Sequence, residues 1–287
     1  MDFRIEKIER SDFPPQLLEI PQIPESLYSV GAKLDPSAFY LCVVGSRNNT
    51  SYGKIACEKL ISGLAGFPIV IVSGLALGID SIAHKSAIKN GLKTIAFPGS
   101  GLSEKVLYPA SNLSLAKEIL ASGGTLISES EPNFKATIWS FPRRNRLMAG
   151  LCHATLIIEA TEKSGTLITA RMALDYNREV FAVPGPINSP ASIGANELIR
   201  QGATPVFESK HILEFFKLNK ETENSQNTLP LNLSDDEIAI LELLVEPRSR
   251  DDIISEFDVP AHEINILLSA MEIKGLIKEE FGEIQRI

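Results

Sequence analysis

The stretch IVIVSGLALGIDSIAHKSAIKNGLKTIAF, residues 69–97, decides the fold. It opens on an apolar run at 69–72, turns through Gly74-Leu75-Ala76-Leu77-Gly78, takes helical spacing over 79–89 and closes on a second apolar run at 94–97. Two strands that are apolar on both faces, joined by a helix, form a βαβ unit, so they lie parallel in a sheet covered on each side. Runs of strand length at 40–44, 125–128, 154–159 and 180–183 continue the pattern, with helical spacing at 145–151, 166–176 and 196–201. The fold class predicted is α/β, with a mostly parallel sheet and helices on both faces.

Outward from this body the composition changes twice. Prolines at 14, 15, 21, 24 and 36 favour an extended lead-in over 1–38, packing on a main domain at 39–217. Residues 218–229 are polar and predict a linker. Beyond it, Ser234-Asp235-Asp236-Glu237 supplies a capping box for a first helix. Two more helices are predicted over 250–256 and about 260–274, ended by Gly275. A hairpin of 276–280 with 283–287 around Phe281-Gly282 completes a small C-terminal winged-helix pattern at 230–287.

The 287 residues are 44% hydrophobic and 22% charged, which excludes collagen, disorder and disulfide-rich scaffolds. A formal net charge of −8 argues against a generic basic nucleic-acid binder. The charge is unevenly placed, however. Residues 230–287 hold 14 acidic and 5 basic residues, a net of −9, whereas residues 1–229 hold 22 acidic and 23 basic, a net of +1. The main domain is therefore free to meet phosphate. Cys42, Cys57 and Cys152 are widely spaced and predict reduced core thiols. No secretory signal and no apolar stretch of membrane length is evident, so a cytoplasmic protein without membrane contact is expected.

Several motifs fall at the carboxyl ends of strands, where open α/β sheets bind ligands. Gly45-Ser46-Arg47 follows the strand at 40–44 and offers backbone N–H groups, a hydroxyl and a permanent bidentate cation, although an ordinary turn would look the same. The turn from Gly74 to Gly78 is GxxxG rather than GxGxxG, and no acidic residue stands about twenty positions on to hold a ribose. This argues against a nicotinamide cofactor, and no cofactor or metal is expected, but a glycine turn opening a helix still suits an anion. Asp80 and His84, four apart, can hydrogen-bond each other, with local structural support favoured over catalysis. Phe141, Arg143, Arg144, Asn145 and Arg146 form the most basic spot. Four cations and no acid lie between Pro132 and Gly150, and Pro142 suits a helix start. Cations in a first helical turn work against the dipole, which suggests an anion to hold. Phe141 and Trp139 offer rings for a base, but the competing expectation pairs at least one arginine with a carboxylate and puts Trp139 in the core. Lys163, Ser164, Gly165 and Thr166 then offer small donors at a helix start.

GSR at 45–47, SGLALGIDSIAH at 73–84, FPGSGL at 97–102, YPASN at 108–112, ISE at 127–129, FPRRNRLMAGL at 141–151, IIEATEKSGTLITARMAL at 157–174 and VPGPINSPASIGANELIRQGA at 183–203 together resemble the DNA-processing protein A family, also called DprA or Smf. The resemblance covers roughly residues 20–217. It implies an extended Rossmann-like domain that binds single-stranded DNA in a basic pocket, forms a homodimer through that domain and brings the recombinase RecA onto the DNA during natural transformation. On it, Arg47, Phe141, Arg144, Asn145, Arg146, Lys163, Ser164, Gly165 and Thr166 match the family's binding motifs, and Arg143 sits at a variable place. Some members carry a lysine where this chain has Ala110, and Lys105 is the candidate to stand in. The C-terminal segment resembles the family's winged helix, but its third helix is not basic, so tight DNA binding by that module alone is not expected.

Two other functions compete. A Rossmann-type nucleoside-monophosphate phosphoribohydrolase, of the group sometimes labelled lysine decarboxylases, needs a placed carboxylate, and none follows Ser164-Gly165-Thr166. A transcription factor using the winged helix needs positive charge on its reading helix, which is short of it. A non-enzymatic single-strand binder is preferred.

Overall fold

A computed structural model of the chain describes residues 4–218, 234–244, 248–257, 259–280 and 283–286. The elements of its first part, in chain order, are β1 (Glu6–Glu9), α1 (Pro15–Leu18), β2 (Ser26–Gly31), β3 (Phe39–Val44), α2 (Ser51–Ser62), β4 (Ile69–Ser73), α3 (Ile79–Lys89), β5 (Thr94–Ala96), α4 (Leu113–Ala121), β6 (Thr125–Ser128), α5 (Ser140–Leu151), β7 (Ala154–Ile157), α6 (Gly165–Asp175), β8 (Glu179–Ala182), α7 (Ile193–Arg200), β9 (Thr204–Pro205) and α8 (Ser209–Phe215). After them come α9 (Asp235–Leu243), β10 (Arg248–Ser249), α10 (Arg250–Ser255), α11 (Ala261–Ile273), β11 (Ile277–Glu280) and β12 (Glu283–Arg286).

Strand side chains alternate between faces, so a strand apolar throughout feeds two cores. In β3, Tyr40, Cys42 and Val44 join Leu147, Met148 and Leu151 of α5, Ala170 and Ala173 of α6 and Leu198 of α7. Its other face, Leu41 and Val43, packs with Cys57, Leu60 and Ile61 of α2, Ile79 and Ala83 of α3 and Ile212 of α8. A third cluster holds α4 through Leu115, Ala116 and Ile119 against Leu126 and Val30. The sheet is therefore mostly parallel with helices on both faces. All three cysteines are free and buried.

The nine strands run in the order β1-β2-β6-β5-β4-β3-β7-β8-β9, with β1 and β2 antiparallel and every pair from β6 to β9 parallel. The sequence predicts no strand before residue 40, yet the proline-rich lead-in contributes β1 and β2 to the sheet. It also buries Phe13, Leu17 and Ile20 in the core around α1. From β3 the chain builds outward on one side as far as β6, then returns to place β7 on the other side of β3. That reversal is the topological switch point, and it opens a crevice beyond the carboxyl ends of β3 and β7.

The chain divides into two units between residues 219 and 220. In the second, α9, α10 and α11 bury Ile240, Leu244, Ile253, Ile264, Leu268 and Met271 with Ile277 and Ile284 of an antiparallel sheet of order β10-β12-β11. This arrangement is compatible with a winged helix. The capping box forms: the Glu237 N–H donates to Ser234 Oγ at 3.2 Å and the Ser234 N–H to Glu237 Oε2 at 2.9 Å. The linker predicted at 218–229 lies outside the described residues except for Leu218, and the turn at Phe281-Gly282 lies outside them too. Among the described residues, no helix is long and apolar enough to cross a membrane.

Candidate functional site

A cleft of about 560 Å³ lies at the switch point, lined by the loops after β3 and β7, the turn after β4 and the first half of α5. Its geometry follows from two glycines. Gly78, at φ 75°, brings the start of α3 under the carbonyls of Ser46 and Arg47, where a side chain would clash. The Ile79 N–H donates to Ser46 O at 3.1 Å, which fixes the loop after β3 on the first turn of α3. Gly74 leaves room for two charged groups, because a Cβ there would strike the Arg144 guanidinium and the Asp80 carboxylate.

Those two groups form the floor of the cleft. Arg144 is buried, and its guanidinium donates to the carbonyls of Gly74 and Phe97, tying together the turns that follow β4 and β5. Its Nε donates to Asn145 Oδ1 at 3.0 Å. Asp80 accepts N–H bonds from Gly74 at 3.1 Å and Ala76 at 3.4 Å. Burial pushes the Asp80 carboxyl up and the Arg144 guanidinium down, and their mutual attraction opposes both shifts. Arg144 therefore acts on the cleft chiefly by holding its shape.

Arg47 is in the opposite situation. It is exposed, it makes no salt bridge among the described residues, and its guanidinium carbon lies 5.2 Å from the centroid of the Phe141 ring. Phe141 in turn meets Tyr108, centroid to centroid, at 5.7 Å. On the far wall Ser164 caps α6, its Oγ accepting the Thr166 N–H at 3.2 Å, and Gly165 is exposed at the helix start. A helix N-terminus carries partial positive charge and unpaired N–H groups, so this wall attracts anions as well. Glu159, at the end of β7, is occupied elsewhere. It accepts the Thr50 N–H at 3.0 Å and the Thr50 hydroxyl, securing the start of α2.

Of the predicted residues, Gly45, Ser46, Arg47, Phe141, Arg144, Asn145, Ser164, Gly165 and Thr166 share the cleft. Gly74 lines a recess beside it with Arg47, Tyr108, Phe141 and Arg144. Lys105 and Lys163 are exposed and line neither. Arg143 and Arg146, three apart on α5, both turn to Glu129, at 3.0 Å and 2.6 Å. Arg146 is buried there and also donates to the Gln22 carbonyl of the lead-in. The helix carrying them starts at Ser140, earlier than predicted, so Pro142 falls inside its first turn.

Two expectations are corrected. Asp80 and His84 do not bond each other; His84 Nδ1 instead meets Thr94 Oγ1 at 2.7 Å, and burial holds its imidazole down at about 3. Trp139 is not core: it is 78% exposed. Tyr108 was missed as part of the site. It stands in the YPASN stretch, an aromatic next to a proline turn, but nothing local to the sequence shows that the turn reaches Phe141.

A family model described as DNA recombination-mediator protein A matches residues 4–217. Protein Smf of Escherichia coli is 43% identical over 202 residues, which cover 70% of this chain and 54% of that protein. The chain thus spans only about half of that relative. DNA processing protein DprA of Streptococcus pneumoniae is 41% identical over 206 residues, 71% of each chain. Its X-ray structure superimposes with a TM-score of 0.69 at 38% identity, covering 74% of both chains. DprA from Helicobacter pylori, solved for its single-stranded DNA binding mode, superimposes with a TM-score of 0.66 at 32% identity, covering 76% of this chain and 98% of that one.

Proposed function

We propose that this chain, which belongs to the DNA recombination-mediator protein A family, binds single-stranded DNA in the cleft at the switch point and acts there without catalysis. The observation that carries this is Arg47, an exposed cation without a salt bridge among the described residues, set over an aromatic ring in a cleft that a helix N-terminus also lines. Phosphate suits the cation and the free N–H groups, and an unpaired base suits the ring. A duplex hides its base faces and gains nothing from the ring, so the single strand is preferred.

Both carboxylates buried beside the cleft, Asp80 and Glu159, are spent on backbone N–H groups, which supports a binding role over a phosphoribohydrolase. We propose further that the protein loads RecA onto the strand it protects, in the cytoplasm and as a homodimer through the main unit, a reading that its family membership supports. The test is a gel shift with single- and double-stranded oligonucleotides of equal length over a salt series. The expected result is at least tenfold tighter binding of the single strand at every salt concentration. Equal affinity for the duplex overturns the proposal.

A further inference from the structure

Next to the cleft, Phe134, Ile138 and Trp139 present apolar side chains that none of the three core clusters of the main unit claims. Phe134 is 38% exposed, Ile138 74% and Trp139 78%. A single exposed aromatic needs no explanation, but Phe134 and Trp139 rim a second recess, and Ile138 is next to Trp139 in the chain. The loop that carries them is held rigidly. The Ser140 N–H donates to Thr137 O at 3.1 Å, the Thr137 N–H to Ser140 Oγ at 3.0 Å, and the Gly101 N–H to Phe134 O at 2.9 Å. An aromatic held out to solvent on a fixed turn loses little freedom when something stacks on it, which favours binding.

The recess continues the cleft. Arg144 lines both, and Gly99, which lines the recess, lies so close to the Phe141 ring that a Cβ there would strike it. Trp139, the residue before α5, and Phe141 in its first turn are two residues apart, with their Cα atoms no more than about 7 Å from each other. The charge also fits. Glu129, the carboxylate in the recess, is offset by both Arg143 and Arg146, leaving the trio one positive charge in excess. Glu131 nearby accepts the Tyr28 hydroxyl at 2.7 Å.

We infer that Trp139 is a second stacking platform, on which a nucleobase of the single strand rests as the strand leaves the cleft past Phe141, with Arg143 beside its phosphate. This rests on the single-strand proposal for the cleft, and the experiment separates the two.

Trp139 is the only tryptophan in the chain, so its emission reports this site alone. The full chain is titrated with labelled oligothymidylates of increasing length, reading anisotropy for binding and tryptophan emission and acrylamide quenching for the platform. The shortest oligomers that bind should leave Trp139 unchanged. Longer ones should quench its emission about twofold and shield it from acrylamide. Trp139→Ala should weaken binding of the long oligomers at least about fivefold, the low end of a stacked base, while Trp139→Phe stays within about twofold. Binding by anisotropy with unchanged Trp139 emission and accessibility overturns the platform and leaves the cleft standing. Absence of any binding overturns the cleft and the platform with it. Shielding of Trp139 that follows protein concentration without DNA assigns the surface to a protein contact and overturns the inference.

Discussion

In the main unit Arg47 lies exposed at the mouth of the cleft, its guanidinium carbon 5.2 Å from the Phe141 centroid. In the C-terminal unit Arg250 reaches Glu279 at 2.6 Å and Asn265 at 3.0 Å. Its neighbours behave alike, Arg248 facing Glu256 at 3.4 Å and Lys274 facing Glu237 at 2.6 Å. The acidic unit pairs these three cations from within, each pair adding about 0–1 kcal/mol where solvent reaches it. The near-neutral unit buries Arg144 and Arg146 in its own framework and leaves Arg47, at the cleft, without a salt bridge among the described residues. Counting charge therefore says less about a partner than asking which cations already have one.

The comparison can be broken first at Arg144. If it is framework, Arg144→Ala strips two carbonyls of their donor and leaves Asp80 buried without its counter-charge, at a cost of about 3–5 kcal/mol. Urea unfolding followed by circular dichroism measures this. A loss under about 1 kcal/mol would make Arg144 a free ligand like Arg47 and erase the distinction.

The second test uses the buried histidine of the main unit. His84 titrates at about 3 inside the fold, against an ordinary 6.5. The unfolded chain takes up its proton first, so this contribution to stability is complete above pH 6.5 and is lost as pH falls from 6.5 towards 3. The slope approaches about 1.4 kcal/mol per pH unit. His84→Leu should remove one proton's worth of that slope. An unchanged slope would show that His84 is not held neutral.

Much of this was legible in the sequence, for reasons that particular residues make plain. The run from Ile69 to Phe97 folds as read because each strand is apolar on both faces and the helix between them keeps one period. The strands β1 and β2 were not legible. β1 lies at the sheet edge and β2 beside it, with the mixed burial that proline-rich segments also show, and only the pairing of β2 with β6 and of β1 with β2 defines them. The placement of Arg143 and Arg146 was open for a related reason. Their carboxylate, Glu129, is 14 and 17 residues away, at the end of β6, so the pairing is a product of topology. Trp139 was misplaced because composition puts tryptophan inside on average, while the turn at 137–140 holds this one out.

The most direct test of the account is the salt dependence of single-strand binding by the wild-type chain, Arg47→Ala and Arg250→Ala. Arg47→Ala should bind about tenfold more weakly, with the slope of log K against log salt reduced by about 0.7, the share of one phosphate on a single strand. Arg250→Ala should match the wild type in both. A slope that falls for Arg250→Ala and holds for Arg47→Ala would place the DNA on the other unit and contradict the account.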